Sequence, residues 1–139
     1  MGGEPAKSVT EYQANRMAGA PRRWTYWVAL FTAVNGILLL AGQDLTFLAG
    51  LVAPFVFDGS APHFIAAAVF AALAYASSRA RWILIVPLVL YIADTALSAY
   101  FALWAGVVMH AIVLGLVAIS MAAGHRLNAQ LSSRNENVA

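Results

Sequence analysis

Long apolar runs separated by short polar connections dominate this chain. Four runs, over residues 24–41, 61–78, 82–103 and 106–123, are almost free of charged side chains. At about 1.5 Å per residue, a helix over each run crosses most of a hydrocarbon core of about 30 Å. The pattern therefore predicts an all-α integral membrane fold, a bundle of four transmembrane helices.

The connection between the first two runs is itself apolar. Residues 45–57 hold several phenylalanines, leucines and valines, but such a short stretch cannot span a bilayer. Two interpretations stay open: the segment lies in the outer interface, or it dips into the bundle and returns at Gly50 and Pro54. It would then either form a lid over the bundle or rest on lipid head groups.

Two further features describe how the helices pack. The turn at Trp104, Ala105 and Gly106 is so short that the third and fourth helices must form an antiparallel hairpin. The second run is rich in alanine, a residue that lets helices approach closely in lipid. These alanines predict tight packing within the chain, or a surface for a homo-oligomer or a larger membrane complex; they are Ala67, Ala68, Ala71, Ala72, Ala74 and Ala76.

The basic residues alternate with the apolar runs. They precede the first run, separate the second from the third and follow the last: Lys7, Arg16, Arg22, Arg23, then Arg79, Arg81, then Arg126, Arg134. By the positive-inside rule we expect a multi-pass protein of the bacterial plasma (inner) membrane with both termini cytoplasmic. The predicted organisation is a cytoplasmic tail over 1–20, a transmembrane domain over 21–125 and a second tail over 126–139.

Composition excludes several classes of protein. With 62% hydrophobic and 10% charged residues, the chain lies outside the range of soluble globular domains. A net charge of +2 gives no reason to expect nucleic acid as a partner. The absence of cysteine rules out disulfides, thiolate metal sites and dithiol redox chemistry.

Polar residues inside the apolar runs are the candidates for function. An ionised carboxylate in lipid is costly, so Asp94 should be paired, protonated or in contact with water. Hairpin geometry places His110 level with Ser98, one helical turn from Asp94 on the same face. The predicted ligand or proton site, in the outer half of the bundle, comprises Asp94, His110, Asn35, Ser98 and Tyr91.

Each candidate also has a structural interpretation. Asn35 would bond one helix to another, and Ser98 would donate to the carbonyl four residues earlier in its own helix. His110 would lock the hairpin by bonding Asp94 or Ser98. Asp94 is the hardest to explain in this way, because a neutral residue would hold the fold at lower cost.

Other chemistries find less support in the sequence. A b-type haem needs two histidines at matching depth on facing helices, and His63, His110 and His125 are predicted at different depths. No spacing demands a metal site, and a hydrolase based on Ser98 and His110 would lack a glycine-flanked nucleophile. We therefore expect no catalytic residues, no metal and no cofactor.

The first run and the hairpin share a pattern of aromatic and polar residues: Trp24, Tyr26, Trp27, Asn35, Tyr91, Asp94, Trp104 and His110. This pattern resembles that of a group of small uncharacterised bacterial four-helix inner-membrane proteins. The resemblance implies the same fold but no activity, and the chain departs from it at Met109, where the group tends to have an aromatic residue. Small multidrug resistance exporters are similar in size and helix count, but they carry an acidic residue where this chain has Asn35.

Two functions are expected from these observations. The first is binding or passage of a small polar ligand or ion, linked to protons, with Asp94 as the titrating group and His110 as its partner. The alternative is a non-catalytic accessory or assembly subunit of a larger membrane complex, favoured by the small size and by the alanine-rich second run.

Overall fold

A computed structural model of the chain describes residues 12–13, 16–17, 19–43 and 49–136. Its α-helices of 16 residues or more are α1 (Ala20–Leu40), α2 (Ala61–Ala76), α3 (Ile85–Tyr100) and α4 (Trp104–Glu136). Short 3-10 helices over Ala53–Val56 and Arg81–Leu84 precede α2 and α3. The described part of the chain is thus all-helical, as predicted.

Within the part of the chain that the structure describes, three helical stretches are long and apolar enough to cross a membrane. They are Ala20–Leu40, Arg81–Tyr100 and Trp104–Ala123. The fourth apolar helix, α2, has only 16 residues and is shorter than these three. Three helices are therefore compatible with membrane spans, whereas the predicted fourth span falls short in length.

Helix boundaries differ from the predicted runs for local reasons. The first helix begins at Ala20, earlier than predicted, because Pro21 in its first turn needs no partner for a backbone N–H. It ends at Leu40, shortly before Gly42 adopts a left-handed φ of 67°. Ser60, which precedes α2, makes no capping hydrogen bond through its side chain.

The last helix is much longer than the predicted run 106–123. It continues to Glu136, through residues predicted as a polar tail. No proline follows position 123 to interrupt the helical hydrogen bonds, and most residues there are compatible with a helix. The first tail, residues 44–48 of the connection and residues 137–139 lie wholly or largely outside the described residues.

The first two helices pack at very short range. Gly36 of α1 faces the start of α2, where a Cβ on this glycine would lie 2.9 Å from His63 Cβ. On α2 the buried face consists of His63, Ala67, Phe70 and Ala74. One part of the alanine-rich run is therefore used within the chain, while Ala68 and Ala72 are exposed.

The predicted hairpin joins α3 to α4 through a turn at residues 101–103. The turn comes slightly earlier than expected: Ala102 has a positive φ of 54°, and Trp104 already begins α4. Gly106 lies beside Ser98, since a Cβ on it would be 3.9 Å from the serine side chain. The hairpin thus brings the first turns of α4 against the last turns of α3.

The molecule has two chemically different ends. Residues at the beginning of α1, Arg81 before α3 and His125 late in α4 border one cavity, so they share an end that we call the basic end. The opposite end holds the 101–103 turn, and we call it the turn end. Segment 49–57 follows α1 at the turn end, and its Leu51 packs into the hydrophobic core with Val28, Phe70, Tyr91 and Val113.

Replacing Gly36 by alanine tests the close packing of α1 on α2. The added methyl group would approach His63 Cβ to 2.9 Å. Because a Cβ is fixed to the backbone, this contact is relieved only if α2 itself is displaced. We expect Gly36→Ala to lower the free energy of unfolding by about 1–3 kcal/mol, a typical cost of overpacking. Unfolding in mixed micelles of mild detergent and dodecyl sulfate measures it.

Gly115→Ala is the matched control, because a Cβ at this helical position meets nothing within 4 Å. It should leave stability unchanged or raise it. Equal stabilities of the two variants would contradict the described packing.

Candidate functional site

Asp94 and His110 form a buried ion pair in the hairpin. The distance between Asp94 Oδ2 and His110 Nε2 is 2.8 Å, and the two residues are 3% and 0% exposed. His110 therefore lies level with Asp94 itself, rather than with Ser98 as the hairpin arithmetic predicted. The shift follows from the earlier turn, which moves α4 relative to α3.

The hydrogen bonds of His110 define how many protons the pair holds. Its Nδ1 lies 2.7 Å from the carbonyl oxygen of Gly106, which can only accept, so Nδ1 carries a hydrogen. Nε2 and the carboxylate oxygen then share one further proton. Whichever group holds this proton, the pair has no net charge, and it avoids the cost of a lone charge in apolar surroundings.

The same carboxylate binds the backbone of segment 49–57. The amide of Val52 donates to Oδ1 at 3.0 Å and to Oδ2 at 2.9 Å, and the amide of Ala53 donates to Oδ1 at 2.6 Å. Hydrogen bonds to a charged acceptor are among the stronger ones in proteins. Asp94 therefore connects three parts of the chain: its own helix, α4 and this segment.

Two further side chains hold the segment. Thr32 of α1 accepts a hydrogen bond from the amide of Leu51 at 3.0 Å and donates its own hydroxyl proton to the carbonyl of Val28. Tyr91 of α3 donates to the carbonyl of Ala49 at 3.3 Å. Polar groups of non-helical backbone inside a bundle are thus satisfied by side chains, as an apolar environment requires.

Gly50 lets the segment approach α1. A Cβ at this position would lie 2.7 Å from Asn35 Nδ2 and 3.1 Å from the backbone of Phe31. A side chain would therefore push the segment away from the helix. Whether the segment is interfacial or re-entrant stays a prediction, and the contact explains only why a glycine fits at position 50.

Tyr91 links the ion pair to the rest of the core. Its ring stacks on the imidazole of His110, with centroids 4.4 Å apart and an angle of 16° between the planes. An imidazolium in this position is stabilised by the face of an aromatic ring. Tyr91 thus contacts both the segment, through its hydroxyl, and the pair, through its ring.

The structure brings all five predicted site residues into one buried region, but not in equal roles. Ser98 donates to the carbonyl oxygen of Asp94 at 2.9 Å, the bond within its own helix that its structural interpretation foresees. Asn35 is 1% exposed and lies against Gly50. Asp94, His110 and Tyr91 make hydrogen bonds or ring contacts to other elements, and Asn35 also contacts another element at Gly50.

Several participants were missed by the sequence reasoning. Thr32 is fully buried and bonds the segment, but a threonine in an apolar helix carries no signal that distinguishes it. The backbone amides of Val52 and Ala53 could not be found by an argument that considers side chains only. The apolar character of the segment was the signal that could have suggested burial of its backbone.

His63 is buried in a different place. It is 0% exposed, packs edge-on against Phe55 at 4.3 Å between centroids, and neither ring nitrogen has a hydrogen-bond partner among the described residues. Within those residues no group of three or more histidine, aspartate or glutamate side chains is arranged to hold a metal ion.

A cavity of about 360 Å³ has Tyr91 in its lining. It is enclosed by α1, α3 and α4, with Phe70 as the contribution of α2, and most of its lining is apolar. Asp94 and His110 do not border it. The open space between the helices is thus toward the basic end, whereas the polar cluster at the turn end is filled by segment 49–57.

Comparison of the chain with protein-family models, with curated proteins and with solved structures gave no match. The resemblance to small four-helix inner-membrane proteins therefore stays an expectation. The interpretation of the site depends on its own contacts, above all on the shared carboxylate of Asp94.

Replacing Asp94 by asparagine should release segment 49–57. The amide side chain offers one acceptor oxygen in place of two, and its NH2 group would face backbone donors. Losing hydrogen bonds to a buried charged acceptor costs about 1–3 kcal/mol, so exchange of the Val52 and Ala53 amides should accelerate roughly tenfold or more. Hydrogen exchange with mass spectrometry in detergent micelles measures it.

Ser98→Ala is the control, since this serine is one turn away on the same face and bonds only a carbonyl of its own helix. Its exchange rates should match those of the wild type. If both variants accelerated exchange equally, the carboxylate would not be what holds the segment.

Thr32→Val should loosen the segment from α1. Valine has the same shape but leaves the buried amide of Leu51 without its acceptor, which costs about 1–3 kcal/mol. Thr32→Ser keeps the hydroxyl and should retain most of the stability. The two variants are compared by their free energies of unfolding in mixed micelles. A valine variant as stable as the serine variant would refute the hydrogen bond between the Leu51 amide and the Thr32 hydroxyl.

Proposed function

We propose that this chain is a four-span inner-membrane protein that binds or passes a small polar ligand or ion, linked to protons at Asp94 and His110. The observation that carries the proposal is the carboxylate of Asp94. It is shared between an imidazole and the backbone amides of an internal segment, at 2.6–3.0 Å. Intramembrane ionisable residues of this kind commonly belong to proton or ligand pathways.

The proposed topology includes α2 as the fourth span and places both termini in the cytoplasm. The 16 residues of α2 extend about 24 Å at 1.5 Å per residue, somewhat less than the thickness of the hydrocarbon core of a bilayer. The close packing on α1 and local thinning of the bilayer would accommodate this difference. Arg81 and His125 share one end of the molecule, and by the positive-inside rule this is the cytoplasmic end.

Segment 49–57 serves as the lid in this proposal. A second proton on the pair would turn one carboxylate oxygen from an acceptor into a donor. This oxygen would then face the amide donors of Val52 and Ala53, and the segment would lose its strongest attachment. Proton uptake would therefore favour release of the segment and open the polar cluster beneath it.

The surroundings of Asp94 leave His110 as its partner for proton transfer. Tyr91 is the other titratable group in contact with the pair, and Ser98 bonds the Asp94 backbone. Thr32 on α1 is uncharged, and residues 49–53 of the segment carry no titratable side chain. The proposal therefore assigns the change in protonation to the aspartate and the histidine.

A second candidate function is an accessory or assembly subunit of a larger membrane complex. One observation favours it: amides and imidazole occupy both carboxylate oxygens, so Asp94 also has a purely structural explanation. The exposed alanines of α2, Ala68 and Ala72, would then contribute to the surface that meets the partner.

Proton flux into liposomes tests the leading proposal. Purified protein is reconstituted with a pH-sensitive dye inside the vesicles, and a potassium gradient with valinomycin supplies the driving force. We expect flux above that of empty vesicles in the wild type and its loss in Asp94→Asn. Thr95→Val is the control, because Thr95 neighbours Asp94 but bonds only the Tyr91 carbonyl of its own helix.

Equal flux in the wild type and in Asp94→Asn would reject the proton-linked function, provided that both proteins elute as the same folded species in size-exclusion chromatography. Mass spectrometry after isolation in native lipid discs addresses the second candidate. A persistent partner of different sequence supports an assembly role, and a lone chain or a homo-oligomer counts against it.

A further inference from the structure

The cavity at the basic end has the shape and chemistry of a binding site. Its volume of about 360 Å³ falls in the range of small-molecule pockets, about 300–1,000 Å³. Apolar side chains from three helices form its walls, including Trp24, Val28, Leu88, Val113 and Val117. Walls of this composition suit an alkyl chain, because burial of apolar surface away from water is favourable.

A cationic side chain, that of Arg81, and the imidazole of His125 lie at the edge of this cavity. Arg81 and His125 border it, and both are exposed. Among the described residues that line the cavity there is no carboxylate. Within the described residues the ion pair is that of Asp94 with His110. The guanidinium of Arg81 therefore has no acidic partner among those residues.

We infer that the cavity binds a single-chain anionic lipid from the surrounding membrane. Its alkyl chain would occupy the apolar space as far as Tyr91, and its carboxylate or phosphate head would meet Arg81 and His125 at the mouth. Basic pockets between transmembrane helices at a membrane interface are suited to anionic head groups. The low polarity of the walls excludes a small polar solute as the occupant.

This site does not depend on the proton-linked function, since neither Asp94 nor His110 borders the cavity. The two are nevertheless adjacent. Tyr91 lines the cavity, and its ring stacks on His110. An occupant would therefore touch the residue that also bonds segment 49–57.

Fluorescence quenching of Trp24 by a brominated fatty acid tests the inference. Bromine quenches tryptophan only at contact, and Trp24 lines the cavity. The full chain carries Trp27→Phe, Trp82→Phe and Trp104→Phe, and it is placed in nanodiscs of phosphatidylcholine. We expect saturable quenching on titration with brominated stearate.

Two pairs of variants distinguish binding in the cavity from partition into the bilayer. Val117→Phe fills the cavity and should abolish saturable quenching, whereas Ile119→Phe, at a position 68% exposed, should leave it intact. Arg81→Gln should weaken binding of the fatty acid roughly fivefold, the effect of one basic residue near an anionic head. Arg79→Gln removes a nearby charge that does not border the cavity and should have no effect.

A brominated fatty alcohol, which lacks the charge, should bind the wild type and Arg81→Gln equally. Quenching that rises without saturation, or that is the same in Val117→Phe and Ile119→Phe, would overturn the inference. If Arg79→Gln and Arg81→Gln bound the fatty acid with equal affinity, the part of the inference that assigns the anionic head group to Arg81 would be rejected.

Discussion

Backbone amides in an apolar environment need acceptors, and in this protein a side-chain carboxylate provides them. Segment 49–57 packs into the core where its short 3-10 helix, Ala53–Val56, begins. The first N–H groups of a helix have no acceptor within that helix. The amides of Val52 and Ala53 therefore have no partner in a regular ladder, and both donate to Asp94. Without this acceptor the segment would leave unsatisfied donors inside the bundle, each costing a few kcal/mol.

The imidazole of His110 lowers the energetic cost of burying the Asp94 carboxylate. A carboxylate alone in low dielectric carries a large desolvation cost, whereas the pair of Asp94 and His110 holds one shared proton and no net charge. The Gly106 carbonyl sets which nitrogen of the ring faces the carboxylate. The attachment of the segment, the position of α4 and the charge of the site thus depend on one small cluster.

Tyr91 contacts both the polar cluster at the turn end and the cavity at the basic end. Its hydroxyl bonds the carbonyl of Ala49 in the segment, its ring stacks on His110, and the residue also lines the cavity at the basic end. Val28, Phe70 and Val113 belong to the hydrophobic core and also line the cavity. The core and the cavity therefore share these side chains.

Much of the architecture could be predicted from the apolar runs, because helices in lipid must satisfy their backbone internally. The helical class and the α3–α4 hairpin followed from run lengths and from one short turn. The helix limits were less accurate: α4 continues to Glu136, since nothing in the polar tail interrupts a helix. The region of the site was also foreseen, because polar residues in apolar runs are rare and a hairpin brings Asp94 near His110.

What the sequence by itself determined, then, is the helical membrane character, the segregation of basic residues and the meeting of acid and imidazole across a hairpin. Only the tertiary structure decided that the carboxylate is occupied by the backbone of segment 49–57 and that the open cavity lies toward the basic end, with Tyr91 in its lining. The physical reason is that periodicity and charge act along single helices. Contacts between a backbone amide and a distant side chain, and the spaces left between helices, depend on how all the elements pack together.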